Sequence, residues 1–180
     1  MSTPSTTVPQ LAALALLVAL TACDSKGPTK ASVQDLPAAR EVLKAFQKPD
    51  ADVKALTLAL RPTSEDYRAA YGEDLGKRLD DLLTPFWEKG DVVIRPTAEQ
   101  SELLLWEATA EELREARGNA EYFPGGYKRA AAFVQGNPTI LRFKFVPPGQ
   151  DSGSAWDGLM HVNGRWILIP KPWRALKDGE

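Results

Sequence analysis

The hydrophobic pattern divides the chain into an apolar leader, a polar stretch, a helical region and an alternating C-terminal third. Residues 11–20 are all apolar, and residues 24–34 are mostly small or polar. From residue 36 onward apolar side chains recur every three or four positions, which is the helical period. After residue 139 the period falls to two, which is typical of strands. The pattern therefore predicts an α+β fold with helices first and antiparallel sheet afterwards.

Three helices are predicted between residues 36 and 90. The second is short and begins after Asp50 or Asp52, either of which can cap it. The third begins after a cap at Thr63, and its apolar spacing runs without interruption. Because proline lacks the backbone N–H that a helix interior uses, we expect Pro85 to kink or restart this helix.

The period changes after Gly90, which is a plausible helix stop. Residues 92–94 predict a short strand, whereas residues 102–108 fit a strand or a helix equally well. Thr109 and Glu112 have the spacing of a capping box, so a further helix is expected to begin there.

The last third predicts antiparallel sheet. Over residues 139–146 the apolar side chains alternate with Arg142 and Lys144, which fall on the other face. Asn163 and Gly164 form the strongest short hairpin signal, because a type I′ turn needs positive φ at both central positions. A two-residue turn also predicts the cross-strand pairs: Val162 with Arg165, His161 with Trp166, Met160 with Ile167, and Leu159 with Leu168.

Both faces of the predicted hairpin are largely apolar. One face would carry Trp156, Met160, Val162, Ile167 and Ile169, and the other Leu159, His161, Trp166 and Leu168. A half-exposed sheet would alternate apolar and polar residues, so we expect this hairpin to be covered on both sides. Helices would supply one cover, and a curled sheet around a pocket, a loop or a partner protein would supply the other.

This order of elements, with N-terminal helices packed on a curved antiparallel sheet that ends in a hairpin, resembles the NTF2-like and cystatin-like α+β folds over residues 36–170. Such folds include enzymes, binding modules and inert scaffolds, so the resemblance implies an architecture and not an activity.

The segment Leu20-Thr21-Ala22-Cys23, at the end of the apolar run, resembles the lipobox of bacterial lipoproteins. The run has the length of a signal-peptide core and is too short to cross a bilayer. The resemblance implies cleavage before Cys23, a diacylglyceryl group on its thiol, and attachment to the membrane through this lipid. The chain then divides into a signal peptide (1–22), a flexible tether (23–35) and one α+β domain (36–176).

The implied location is the bacterial cell envelope. Asp24 follows the cysteine and resembles an inner-membrane retention signal, but such signals differ between lineages, so the choice between inner and outer membrane stays open.

The composition argues against two classes of function, nucleic-acid binding and zinc binding. The chain has 22 Lys and Arg against 24 Asp and Glu, a net charge of −2, which argues against a nucleic-acid partner. With Cys23 carrying lipid, one histidine and no free thiol remain, and these cannot build the common zinc sites. We therefore assign no metal, no cofactor and no catalytic residue.

Four residues are candidates for a ligand pocket on the sheet: His161, Trp166, Arg142 and Lys144. His161 could be a general base, with Asp157 on the same face about 13 Å away, or a strand histidine stacked on Trp166. Arg142 and Lys144 could line an anion-binding concavity or form the solvent face of their strand.

The sequence favours a membrane-anchored, non-enzymatic domain that binds an envelope protein or a small ligand. Two alternatives remain. One is an NTF2-like envelope enzyme that uses His161, and the other is a structural lipoprotein that assembles with copies of itself.

Overall fold

A computed structural model describes residues 35–180, which contain helices and a four-stranded antiparallel sheet. The predicted α+β class is confirmed. The signal peptide, Cys23 and nearly all of the tether lie outside the described residues. The helices are α1 (Asp35–Lys44), α2 (Val53–Ala59), α3 (Ser64–Lys89), α4 (Ala110–Glu115) and α5 (Gly126–Ala130). The strands are β1 (Glu102–Thr109), β2 (Thr139–Val146), β3 (Ser154–Val162) and β4 (Arg165–Leu168), and short 3₁₀ turns cover Ala45–Gln47, Gly118–Tyr122, Ala131–Phe133 and Pro172–Ala175.

The sheet has the order β1-β2-β3-β4. Residues 102–108, which fit a strand or a helix, belong to strand β1. All four predicted hairpin pairs between β3 and β4 are confirmed. Asn163 and Gly164 have φ values of 52° and 79°, as a type I′ turn requires.

A bulge at Gly158 shifts the register of β3 against β2. Leu159 pairs with Leu141, but the next pair along is Asp157 with Arg142, so Gly158 is the extra residue. Gly158 has φ of 89°, and a Cβ built on it would lie 2.1 Å from the Ile169 carbonyl oxygen. Only glycine fits both conditions.

The bulge exchanges the faces of the residues that precede it. Trp156 pairs with Phe143 and therefore shares the face of Leu159, not that of Met160 as predicted. Asp157 moves to the face of Arg142 and lies on the opposite side of the sheet from His161. Strict alternation along the strand placed both residues wrongly, because one added residue inverts every side chain beyond it.

The β3–β4 hairpin is buried on both faces, as predicted. Leu159 and Leu168 on one face and Met160 and Ile167 on the other are all fully buried. On the first face Phe46 packs against Phe145 with ring centroids 6.3 Å apart.

Helix α3 folds back on itself at Gly72, which has φ of 75° and ψ of 173°. A Cβ on Gly76 would lie 2.6 Å from the Cα of Arg68, so the two arms are in backbone contact. On a straight helix the Cα atoms of residues 68 and 76 would be about 12 Å apart.

The helix is not restarted at Pro85, and its interruption lies at Gly72 instead. Both helical arms keep helical geometry except at Gly72, and the helix continues through Pro85 to Gly90, which has the left-handed conformation of a C-cap. The caps at Asp52, Thr63 and Thr109 are confirmed. Each of these side chains accepts a hydrogen bond from the backbone N–H of the residue three positions later.

The start of α3 is tied to the hairpin turn by the buried carboxylate of Asp66. Asp66 accepts hydrogen bonds from Arg165 and Asn163, both at 2.8 Å, as well as from the backbone N–H of Thr63 at 2.9 Å. Burial raises the pKa of Asp66, but these donors outweigh it and hold that pKa below its usual value.

Residues 92–94, predicted as a strand, form no regular element. Ile94 is nevertheless fully buried, and its N–H donates to the Thr57 hydroxyl at 3.1 Å instead of to a strand. The backbone N–H of Ile94 is therefore satisfied by a side chain and not by a neighbouring strand.

Each edge strand of the sheet is hydrogen-bonded to a segment that is not a strand. On β4 the N–H of Leu168 donates to the carbonyl of Leu60 at 2.9 Å. On β1 the side chain of Asn119 donates to the carbonyl of Glu107 at 2.9 Å.

We predict that Gly158→Ala destabilises the fold more than Gly164→Ala. Both glycines have positive φ, which costs a non-glycine residue about 1 kcal/mol, but a Cβ at position 164 has nothing within 4 Å. At position 158 it meets backbone, so we expect a total loss of about 3 kcal/mol in the free energy of unfolding. Urea denaturation of the two variants measures the difference, and equal losses would show that the contact with Ile169 is relieved without cost.

Candidate functional site

The four pocket residues predicted from the sequence lie on opposite faces of the sheet. Leu141 pairs with Leu159, so His161 shares its face with Leu141, while Arg142 and Lys144 alternate to the other side. Trp166 pairs with His161 and stays with it. The structure thus brings together two pairs, not four residues around one pocket.

His161 packs edge-on against Trp166, with ring centroids 5.2 Å apart and an interplanar angle of 61°. Within residues 35–180 no hydrogen bond joins its imidazole to a carboxylate. The acid that the sequence placed on its face, Asp157, is on the other side of the sheet because of the bulge.

Arg142 and Lys144 belong to a network over β1. The Arg142 guanidinium donates to the carbonyl of Tyr122, whose ring stacks on Trp106 at 5.3 Å. The Lys144 ammonium lies 5.6 Å from the centre of the Trp106 ring and donates to the Asp151 carbonyl at 3.0 Å. Both cations are thus held by carbonyl oxygens and an aromatic ring of the protein.

The candidate site is a groove of about 430 Å³ between the second arm of α3, the start of β3 and the segment that follows β4. We call it the α3–β3 groove. Its apolar lining is Leu82, Leu83, Phe86, Val92, Ala155, Trp156 and Pro170, and its charged lining is Asp91, Asp157, Lys171 and Arg174.

Asp157 is a half-buried carboxyl group in this groove. The hydroxyl of Tyr127 donates to its carboxylate at 2.9 Å. Burial raises the pKa of Asp157 above its usual value, and the bonds from Tyr127 and from the Lys171 N–H, with the charge of Arg142, offset that rise only in part. A carboxyl group with a raised pKa in a cleft is a candidate functional group.

The segment after β4 is shaped to reach Asp157. Lys171 adopts the left-handed conformation, with φ of 52°, and its N–H points to the carboxylate. Two residues on, Trp173 packs edge-on against Tyr127 at 5.1 Å. A Cβ on Gly126 would lie 2.3 Å from the Trp173 ring, so this close packing requires glycine there.

Tyrosines line the protein side of Asp157. Tyr127 is fully buried, and burial together with the charge of Asp157 raises its pKa well above the usual value. The hydroxyl of Tyr71 is buried without a hydrogen-bond partner, and burial and Asp157 also raise its pKa. Both phenols are therefore neutral near pH 7, and Tyr127 uses its one O–H to donate to Asp157.

The arrangement suits binding. The carboxyl group of Asp157 can accept a hydrogen bond from a ligand or pair with a ligand cation, while the apolar part of the lining holds the rest of the molecule. No group of three His, Cys, Asp or Glu residues able to hold a metal ion occurs among residues 35–180.

The sequence pattern did not predict this groove. In the sequence, Asp157 was considered only as a partner for His161. The signal that could have corrected this is Gly158 inside a strand, because a glycine there often marks a bulge.

Comparisons of the chain with protein-family models, with curated proteins and with solved structures gave no match. In the part of the chain that the structure describes, none of the helices has the length and apolar character needed to span a bilayer.

We predict that Asp157→Asn gains stability relative to the native chain as the pH rises. The pKa of Asp157 is higher in the folded state than in the unfolded state, so its contribution is full below the usual value of 3.8 and declines as pH rises through the folded pKa. Asparagine keeps an acceptor oxygen for Tyr127 but never ionises. Thermal unfolding of both proteins from acidic to neutral pH measures the difference.

The matched control is Asp91→Asn, since Asp91 lines the same groove but is exposed. We expect it to change stability by no more than about 0.5 kcal/mol. A difference between Asp157→Asn and the native chain that is constant across the pH range would contradict the prediction.

Proposed function

We propose that the chain is a bacterial envelope lipoprotein, anchored through a lipid on Cys23, whose folded part binds a small ligand in the α3–β3 groove. The ligand has an apolar body and at least one hydrogen-bond donor or cationic group. The observation that carries the ligand-binding role is the partly buried Asp157 on the wall of an otherwise largely apolar groove.

The anchor is supported by the sequence alone. An apolar run of signal-peptide length ends in small residues and then in Cys23, the only cysteine of the chain. A mature protein that begins at this residue would carry its folded part on a short polar tether, about a dozen residues long.

Ligand binding is supported by the composition of the groove. Burying a carboxylate costs free energy unless it is fully satisfied, and the partners of Asp157 offset the rise that burial causes in its pKa only in part. A ligand that donates to this group would supply the missing stabilisation. Catalysis has less support, because His161 packs on Trp166 and no carboxylate among residues 35–180 is hydrogen-bonded to it.

We predict that Cys23 is the site of lipid attachment. Cells grown with radiolabelled palmitate should label the native chain and not Cys23→Ser. A chain with Cys23→Ser and Ser25→Cys keeps one cysteine two residues away, and we expect no label there, since lipobox processing depends on position. Label on this displaced cysteine, or none on the native chain, would contradict the proposed anchor.

We predict that filling the groove blocks ligand binding. Ala155 is exposed and lines the groove, so Ala155→Phe places a ring inside it. The probe is N-phenyl-1-naphthylamine, which has an apolar body and one N–H donor and fluoresces in apolar surroundings. With the full chain carrying Cys23→Ser, we expect saturable binding that Ala155→Phe weakens by about tenfold, equivalent to 1.4 kcal/mol.

The control for this prediction is Ala98→Phe, because Ala98 is also exposed but lies outside the groove. It adds the same ring to the surface and should leave the affinity for the probe unchanged. If both variants bind the probe as the native chain does, the α3–β3 groove is not the site.

A further inference from the structure

We propose that the face carrying the α3–β3 groove docks directly on an anionic membrane surface. A second depression of about 290 Å³ lies beside the groove, and Val92 lines both. We call the residues that line the two depressions the docking face. The proposal rests on the function proposed above, because the Cys23 anchor would bring this face to a bilayer. The docking face would also bind anionic lipid when the anchor is absent.

The docking face exposes large apolar side chains. Among residues 35–180, three large apolar side chains are strongly exposed, and two of them, Leu58 and Phe86, each 44% exposed, line these depressions. Half-buried Leu82, Val92 and Val93 lie with them in the same lining. The third, Tyr122, lines neither depression and instead stacks on Trp106.

Unpaired cations accompany these apolar side chains. Lys54, Lys89, Lys171 and Arg174 are all exposed, and none of them forms an ion pair in the described part of the chain. The acids of the face are mostly occupied: Glu88 pairs with Arg61 at 3.4 Å, and Asp157 is held by Tyr127. Asp91 is the remaining exposed acid of the lining.

The charge of this face is therefore opposite to that of the chain, which carries −2 in total. Five basic and three acidic side chains line the two depressions. Positive charge gathered around exposed apolar side chains is the pattern that binds anionic lipid, since the cations meet headgroups while the apolar groups enter the interface.

The kind of cation favours lipid over a protein partner. Three of the four unpaired cations are lysines, which are depleted at protein–protein interfaces because ordering them costs side-chain entropy. At a membrane the same flexible side chains keep their ammonium groups among the headgroups while their stems lie along the apolar surface. The α3–β3 groove would then open toward the lipid headgroups.

The test uses the full chain with Cys23→Ser, which removes the lipid, and one new cysteine labelled with an environment-sensitive nitrobenzoxadiazole dye. The new cysteine is Phe86→Cys or Leu58→Cys, with Tyr122→Cys as the equally exposed control. We expect the emission at positions 86 and 58 to shift to the blue on vesicles of equimolar phosphatidylglycerol and phosphatidylcholine, and brominated lipid to quench it. The dye at position 122 should not respond.

Each other result overturns the proposal. No shift at positions 86 and 58, an equal shift at 122, or an equal shift on pure phosphatidylcholine would each exclude docking by this face on anionic lipid. A shift that grows with protein concentration without vesicles would identify a second copy of the chain as the occupant. Palmitate labelling is scored separately, so the loss of the anchor and the loss of the docking face are distinguishable.

A charge-matched pair of variants tests the role of the cations. Lys54→Gln with Lys89→Gln removes two charges from the docking face, and Lys128→Gln with Lys177→Gln removes two exposed charges that line neither depression. In vesicle flotation we expect the first variant to bind the phosphatidylglycerol vesicles about tenfold or more weakly than its parent. The second should lose much less, and equal losses would overturn the proposal.

Discussion

The arrangement of the candidate site depends on one backbone constraint, the bulge at Gly158. The extra residue turns Asp157 to the face of Arg142 and leaves Leu159 on the face of Leu141. Because a side chain at Gly158 would meet the Ile169 carbonyl oxygen and the Tyr127 hydroxyl, the absence of one also lets Tyr127 approach the carboxylate. Without the bulge, Asp157 would be on the face of His161, about 13 Å from it along the strand. The groove would then lose its half-buried carboxyl group.

A second set of constraints positions the wall of the groove. The arms of α3 can fold together because Gly72 takes a positive φ and Gly76 has no side chain between them. The first arm is then fixed to the β3–β4 turn by Asp66, which holds Arg165 and Asn163. Residues nearly a hundred positions apart in the chain are joined by this one carboxylate, so the second arm, with Leu82 and Phe86, is set against β3.

Local signals predicted much of the fold. The Asn163-Gly164 turn determined the register of the hairpin, and the capping residues Thr63 and Thr109 marked helix starts, because these effects act within a few residues. The errors arose where a nonlocal contact decided the outcome. The fold-back at Gly72 and the bulge at Gly158 each place a glycine where another part of the chain approaches, and Ile94 found its partner in Thr57 on α2. The candidate site was missed for the same reason, since it depends on the bulge.

The hydrogen bonds at the two sheet edges hinder aggregation through the addition of strands from other chains. An unpaired edge is a template on which another chain can add a strand, and the risk increases when many copies share a small area. Here Leu60 occupies a position on one edge, and Asn119 occupies a position on the other. At these two positions the backbone groups are already engaged within the chain, so a strand from a second copy would have to displace Leu60 or Asn119 before it could pair there.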